Sequence, residues 1–100
     1  MVYMFAHIKL RPGKVQKFTE MIGELASVVE KHGGWKLQGS YFNTIGRLNT
    51  VIDVWELPDA NAVQTTLELA SQDPKFQKFV PVIEECIEDE VLQLMTKLPV

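Results

Sequence analysis

The chain has 100 residues, 46% of them hydrophobic and 23% charged, with a formal net charge of -3. That length predicts one domain spanning residues 1–100, and the apolar content excludes a disordered tail. No apolar run approaches the ~18–20 residues of a membrane helix. Ten basic against thirteen acidic side chains offer no basic patch for nucleic acid. The single cysteine, Cys86, excludes a disulfide framework and a multi-cysteine zinc site. The first residues show no basic start followed by an apolar block and a cleavage site, so no secretory signal is expected. These features predict a cytoplasmic α+β domain with no membrane or nucleic-acid partner, no metal and no cofactor.

Val2 to Leu10 alternates, with Met4, Ala6, Ile8 and Leu10 on one side and Tyr3, Phe5, His7 and Lys9 on the other. A period of two in a β-branched and aromatic stretch predicts a strand. Arg11-Pro12-Gly13 ends it, since Pro12 has no N–H for a ladder. From Lys14 the period lengthens: Val15, Phe18, Ile22, Leu25 and Val29 form one helical stripe, closed by Gly33-Gly34.

Trp35 to Ile45 and Leu48 to Leu57 read as two strands around a two-residue Gly46-Arg47 turn of type II′. In that register Ile45 opposes Leu48, Phe42 faces Val51, Ser40 faces Asp53 and Gln38 faces Trp55. A bulge would turn the second strand over, bringing Tyr41 and Asn43 inward.

Pro58-Asp59 opens a second helix, with Ala60, Val63, Leu67 and Ala70 as its inner stripe. Asp73-Pro74 starts a third, in which Phe76, Phe79, Val80, Ile83 and Ile87 fall at helical spacing. Val91 to Met95 is the expected last strand. The order β-α-β-β-α-(α)-β predicts a ferredoxin-like α+β fold: a four-stranded antiparallel sheet with helices on one face.

The other sheet face would carry Tyr3, Phe5, His7, Ile52, Val54 and part of the last strand. Leaving those groups wet is unfavourable. Covering about 1,000 Å² at ~25 cal/mol per Å² favours a two-fold dimer with its sheets face to face. The alternative is a C-terminal tail folded over part of that face.

Arg11-Pro12-Gly13-Lys14, Ile45-Gly46-Arg47-Leu48-Asn49 running into Val51-Ile52-Asp53-Val54-Trp55, and Asp73-Pro74-Lys75-Phe76 together resemble the NIPSNAP family. The resemblance covers most of the chain. It implies a homodimeric α+β barrel and, as in many members of that superfamily, a ligand pocket between helices and sheet. It implies no defined reaction, because the superfamily holds quinone-forming and haem-degrading monooxygenases, lactone isomerases and polyketide cyclases. The resemblance also marks departures: Met4, Ala6 and Ile8 stand where NIPSNAP first strands often carry polar residues, and Asp53 stands where a histidine is common. The haem-degrading relatives look to an asparagine at the place of Ala6 and to a helix histidine; only Trp55 matches their set, so haem is not expected.

Asp53 is the candidate acid or base. Its strand face should turn inward, where burying a carboxylate is costly unless it is paired or protonated, and an apolar pocket would raise its pKa toward proton-transfer work. The structural reading is an Asp53 that accepts bonds from Ser40, Tyr41 or a backbone N–H and only holds register. Trp55 and Ala6 are candidate pocket walls. Ser40 and Tyr41 are candidate ligand contacts, as is Asn49, which could equally bond its own backbone beside the turn. His7 belongs to the expected dimer face, and Cys86 reads as an inert core thiol. The carboxylates Glu84, Glu85, Glu88, Asp89 and Glu90 read as a solvated acidic rim. Two functions follow: a NIPSNAP-like dimer binding a small, largely apolar molecule or a protein partner, or a cofactor-free monooxygenase or isomerase using Asp53.

Overall fold

The computed structural model describes all residues, 1–100. Seven elements follow one another: β1 (Val2–Leu10), α1 (Val15–Gly33), β2 (Lys36–Phe42), β3 (Thr50–Leu57), α2 (Ala62–Ala70), α3 (Pro74–Cys86) and β4 (Ile87–Met95). The strands form one antiparallel sheet in the order β2-β3-β1-β4. That is the ferredoxin-like arrangement expected from the element order. The shortest dimension, 18 Å, is the depth of one sheet plus one helix layer.

β1 and β3 lie at the centre and carry the core. Met4, Ala6, Ile8 and Leu10 are buried from β1, and Val51, Asp53, Trp55 and Leu57 from β3. Against them α1 buries Phe18, Met21, Ile22, Val28 and Val29. Gly34 ends α1 at φ 69°, a left-handed cap whose N–H donates to the Glu30 carbonyl at 2.9 Å. Trp35 then turns inward.

The second hairpin departs from expectation at both ends. No two-residue turn forms at Gly46-Arg47; β2 stops at Phe42, β3 starts at Thr50, and residues 43–49 make a wide loop. The loop is closed by the Asn43 side chain donating to the Arg47 carbonyl at 3.2 Å, and by Asn49 at φ 57°. Ile45 and Leu48 have nothing to pack against and stand 94% and 83% exposed. Because the loop is centred where the tight turn was expected, Phe42 still faces Val51 and Ser40 still faces Asp53. Beyond Gly39 the ladder slips at a bulge, so Leu37, rather than Gln38, opposes Trp55. The slip keeps an apolar side chain on the core side.

α2 buries Ala62, Thr66 and Ala70; of the expected stripe Ala70 is buried, Val63 packs half-buried against the core, Leu67 reaches the cavity from an exposed position and Ala60 precedes the helix. The helix starts later than expected because Asp59 first forms a turn, accepting the Ala62 N–H at 3.0 Å. Asp73 caps α3 as predicted, accepting the Lys75 N–H at 2.9 Å. Ile87, expected in that helix, instead begins β4 with no intervening loop. A backbone bond from Arg11 N–H to the Cys86 carbonyl, 2.8 Å, and pairing of Leu10 with Ile87 draw the chain straight into the sheet. Of the acidic run, Glu84 and Glu85 lie in α3 and Glu88, Asp89 and Glu90 on β4, where side chains alternate across the sheet; all five are exposed, as a solvated rim requires.

No helix covers the outer face. Tyr3, Phe5, His7, Ile52 and Val54 lie there with Val91, Gln93 and Met95, and His7 Nε2 meets Gln93 Oε1 at 3.2 Å.

Candidate functional site

A strand crossing the middle of a two-layer fold should offer only apolar groups to the helices. β3 does so at Val51, Trp55 and Leu57 but not at Asp53, which is 1% exposed. Its immediate neighbours explain the space around it. On β1 it faces Ala6, whose side chain is a single methyl; on β2 it faces Ser40. A cavity of about 150 Å³ opens over Ala6. Its floor is β1, β3 and β4, its roof is α1 with Leu67, Phe76 and Ile83, and Trp35 and Trp55 close one side. Trp35 is held by its indole N–H donating to the Ala62 carbonyl at 2.9 Å, and its ring meets Trp55 edge-on with centroids 5.6 Å apart.

Two polar side chains line this apolar space, Asp53 and Glu90. Ser40 Oγ donates to Asp53 Oδ1 at 2.5 Å, the one hydrogen bond the carboxyl makes. Burial pushes the Asp53 carboxyl above the ordinary aspartate range, and the Ser40 hydrogen bond opposes that rise. Glu90 lies opposite Ile8 on the exposed edge strand β4 and reaches the mouth of the cavity. Its carboxyl is also raised, first by desolvation and then by the charge of Asp53. No lysine, arginine or histidine lines the cavity. Nor do three His, Cys, Asp or Glu side chains gather anywhere as a metal set.

The sequence candidates thus separate. Asp53, Trp55 and Ala6 line the cavity, and Ser40 holds Asp53 from the edge strand. Tyr41 does not line it: it pairs with Ile52 on the outer face, 61% exposed, with its ring folded over Gly39. Asn49 sits in the loop, where its carbonyl accepts the Leu10 N–H at 2.7 Å. Glu90 and Trp35 are the residues that sequence reasoning left out. Trp35 follows the glycine cap directly, and that placement at the end of α1 was its available signal.

A larger open trough, about 840 Å³, runs between α1 and α3, with Lys17, Lys31, Lys75 and Lys78 interleaved with Glu20, Glu24 and Asp73. It is a solvated groove with charges of both signs. The smaller, recessed cavity is the one that takes a carboxyl group, that of Asp53, out of water.

An antiparallel sheet with three helices on one face and a recessed, carboxyl-bearing cavity between the layers defines a ferredoxin-like α+β domain. A family model described as NIPSNAP matches residues 3–100, and the chain belongs to that family. Among solved structures it is similar to the protein Atu4242 of Agrobacterium tumefaciens, with 22% identity and a TM-score of 0.86 over 99% of this chain and 95% of that one. An uncharacterised NIPSNAP domain protein of Burkholderia xenovorans matches at 22% identity and a TM-score of 0.82, covering 99% and 96%. More distantly, a Deinococcus radiodurans protein provisionally named an antibiotic biosynthesis monooxygenase matches at 10% identity and a TM-score of 0.71, covering 100% and 95%. No curated protein matches the chain significantly. No helix is long and apolar enough to cross a membrane.

Proposed function

We propose that this NIPSNAP chain is a homodimer, joined through the outer face of its sheet, that binds a small, largely apolar molecule between helices and sheet. The observation that carries the binding reading is the cavity of about 150 Å³ whose walls are apolar except for two carboxyls. The dimer reading rests on Tyr3, Phe5, Ile52, Val54, Val91 and Met95, which no helix covers. Cys86, buried and unpaired, is in keeping with a reducing cytoplasmic setting.

Sedimentation equilibrium should give twice the 11.4 kDa chain mass, and Phe5→Lys should give the monomer. A monomeric wild type would overturn the dimer. Titration with indole should shift the NMR signals of the Trp35 and Trp55 indole N–H groups. Shifts confined to other residues would overturn the cavity as the binding site.

A second reading is favoured by the raised Asp53 carboxyl: a cofactor-free monooxygenase or isomerase in which Asp53 takes a proton from a phenolic or carbonyl substrate. Oxygen uptake with catechol, abolished by Asp53→Asn, would establish the oxygenase form.

A further inference from the structure

The charge inside the cavity has no counterpart. Its walls carry two carboxyls and no cationic side chain. Asp53 is 1% exposed, and its carboxyl makes one hydrogen bond, accepted from Ser40 at Oδ1. A desolvated carboxylate with no counter-ion is unfavourable. None of the groups beside it donates to Oδ2: Phe18 has no donor, and the Trp35 indole N–H is committed to the Ala62 carbonyl.

Register sets how the two carboxyls share the space. Asp53 pairs with Ala6, and Glu90 pairs with Ile8 on the other side of the same strand. Their backbones are therefore two strand spacings apart and offset by two residues along the strands, roughly 12 Å in all, with the Ala6 methyl and the Ile8 side chain between them. Glu90 stands at the mouth and Asp53 on the floor. A molecule entering past Glu90 meets negative charge twice and positive charge nowhere. Anionic ligands are repelled and neutral ones leave the charge uncompensated, whereas a cation relieves it. The aromatic walls favour the same choice, because a ring face attracts an ammonium group. Volume limits the size: an apolar cavity of about 150 Å³ holds a benzene-sized molecule.

We propose that the cavity selects a small lipophilic amine in its protonated form, its ammonium group set between Asp53 Oδ2 and Glu90 and its hydrocarbon part against Trp55 and Phe18. The inference rests on the cavity being a binding site and names the ligand class that site prefers.

Benzylamine, benzyl alcohol and benzoate share one ring and differ in charge, and titration of the wild-type protein with each tests the choice. At pH 8 benzylamine should bind at least about tenfold tighter than benzyl alcohol, with benzoate not binding. The preference should shrink as pH falls and the carboxyls take up protons. Asp53→Asn and Glu90→Gln should each reduce it, with affinity for benzyl alcohol kept, while Glu84→Gln, outside the cavity, should leave it unchanged. Benzyl alcohol binding as tightly as benzylamine would overturn the amine proposal and leave the cavity reading standing. If none of the three probes moves the Trp35 or Trp55 indole N–H signal, the cavity reading fails and the amine proposal with it.

Discussion

Replacing Gly33 by alanine tests how the cavity wall is held. Gly33 is the last residue of α1, and a Cβ built on it would lie 1.6 Å from Thr66 Oγ1, 2.6 Å from Thr66 Cβ and 2.8 Å from Cγ2. No rotation of Thr66 moves its own Cβ, so α2 as a whole must shift. Helix propensity alone predicts the opposite sign, since alanine exceeds glycine by up to ~1 kcal/mol in a helix. Overpacking of this kind costs about 1–3 kcal/mol, and the backbone movement places the expected net loss near ~2 kcal/mol. For a domain of this size that lowers Tm by roughly 8–16 °C. The strain also reaches the site: the helix turn before Thr66 contains Ala62, whose carbonyl takes the Trp35 indole N–H. Urea unfolding followed by tryptophan fluorescence measures the stability, and the Trp35 indole signal reports the wall. A double-mutant cycle identifies the cause. Thr66→Ala removes the two clashing outer atoms but not Cβ, so alanine at 33 should cost clearly less in that background. An equal cost in both backgrounds, or a Gly33→Ala protein as stable as wild type, would refute the reasoning.

Two pH predictions follow from the shifted carboxyls. The folded Asp53 pKa is raised by burial, so the folded chain holds that proton more tightly than the unfolded one, and stability should fall as pH rises from about 4 through the folded pKa. Glu90 adds a decline of the same sign. Asp53→Asn should remove the Asp53 part and be more stable than wild type at pH 8, with urea midpoints between pH 4 and 8 as the check; a less stable Asn protein would make Asp53 a structural anion. Asp73 has the opposite sign: the His32 ring at 2.8 Å and the Lys75 N–H hold its pKa down. Its contribution is present above the unfolded aspartate pKa and lost as pH falls through the folded one. His32→Ala should therefore move acid unfolding to higher pH, and an unchanged acid limb would rule out the pairing as a source of stability.

Periodicity made the larger elements legible. β1 and α1 each carry one strong period, and each appears where the spacing placed it. The Ser40–Asp53 pairing was also legible, for a reason independent of the turn: residues 43–49 open symmetrically about the expected hairpin centre, so register survives although the turn does not. The slip at Gln38 was not legible, because it depends on core pressure favouring Leu37 over Gln38 opposite Trp55. Glu90 was hidden by its own strand. β4 carries apolar groups on both faces, Leu92 and Leu94 inward and Val91 and Met95 outward, so alternation alone does not reveal which side the glutamate takes. The direct passage from Cys86 in α3 to Ile87 in β4 removed the loop that would have marked the boundary.

The choice between a structural and a functional Asp53 turns on what its register contact requires. Ser40 donates one hydrogen bond to one oxygen. An asparagine oxygen would accept that bond equally well and would leave no charge to desolvate. Holding β2 against β3 therefore does not call for a carboxylate, and neither does filling the space, since the cavity beside it stays open. What the carboxylate adds is a titratable negative charge facing an apolar void, with a second carboxyl at the entrance. A group of that kind binds cations or moves protons, and it lowers stability at neutral pH while doing so. If Asp53→Asn is more stable yet loses discrimination between benzylamine and benzyl alcohol, the charge serves the cavity. If it is more stable and discriminates as before, Asp53 does not hold the ammonium group and the placement proposed for it fails.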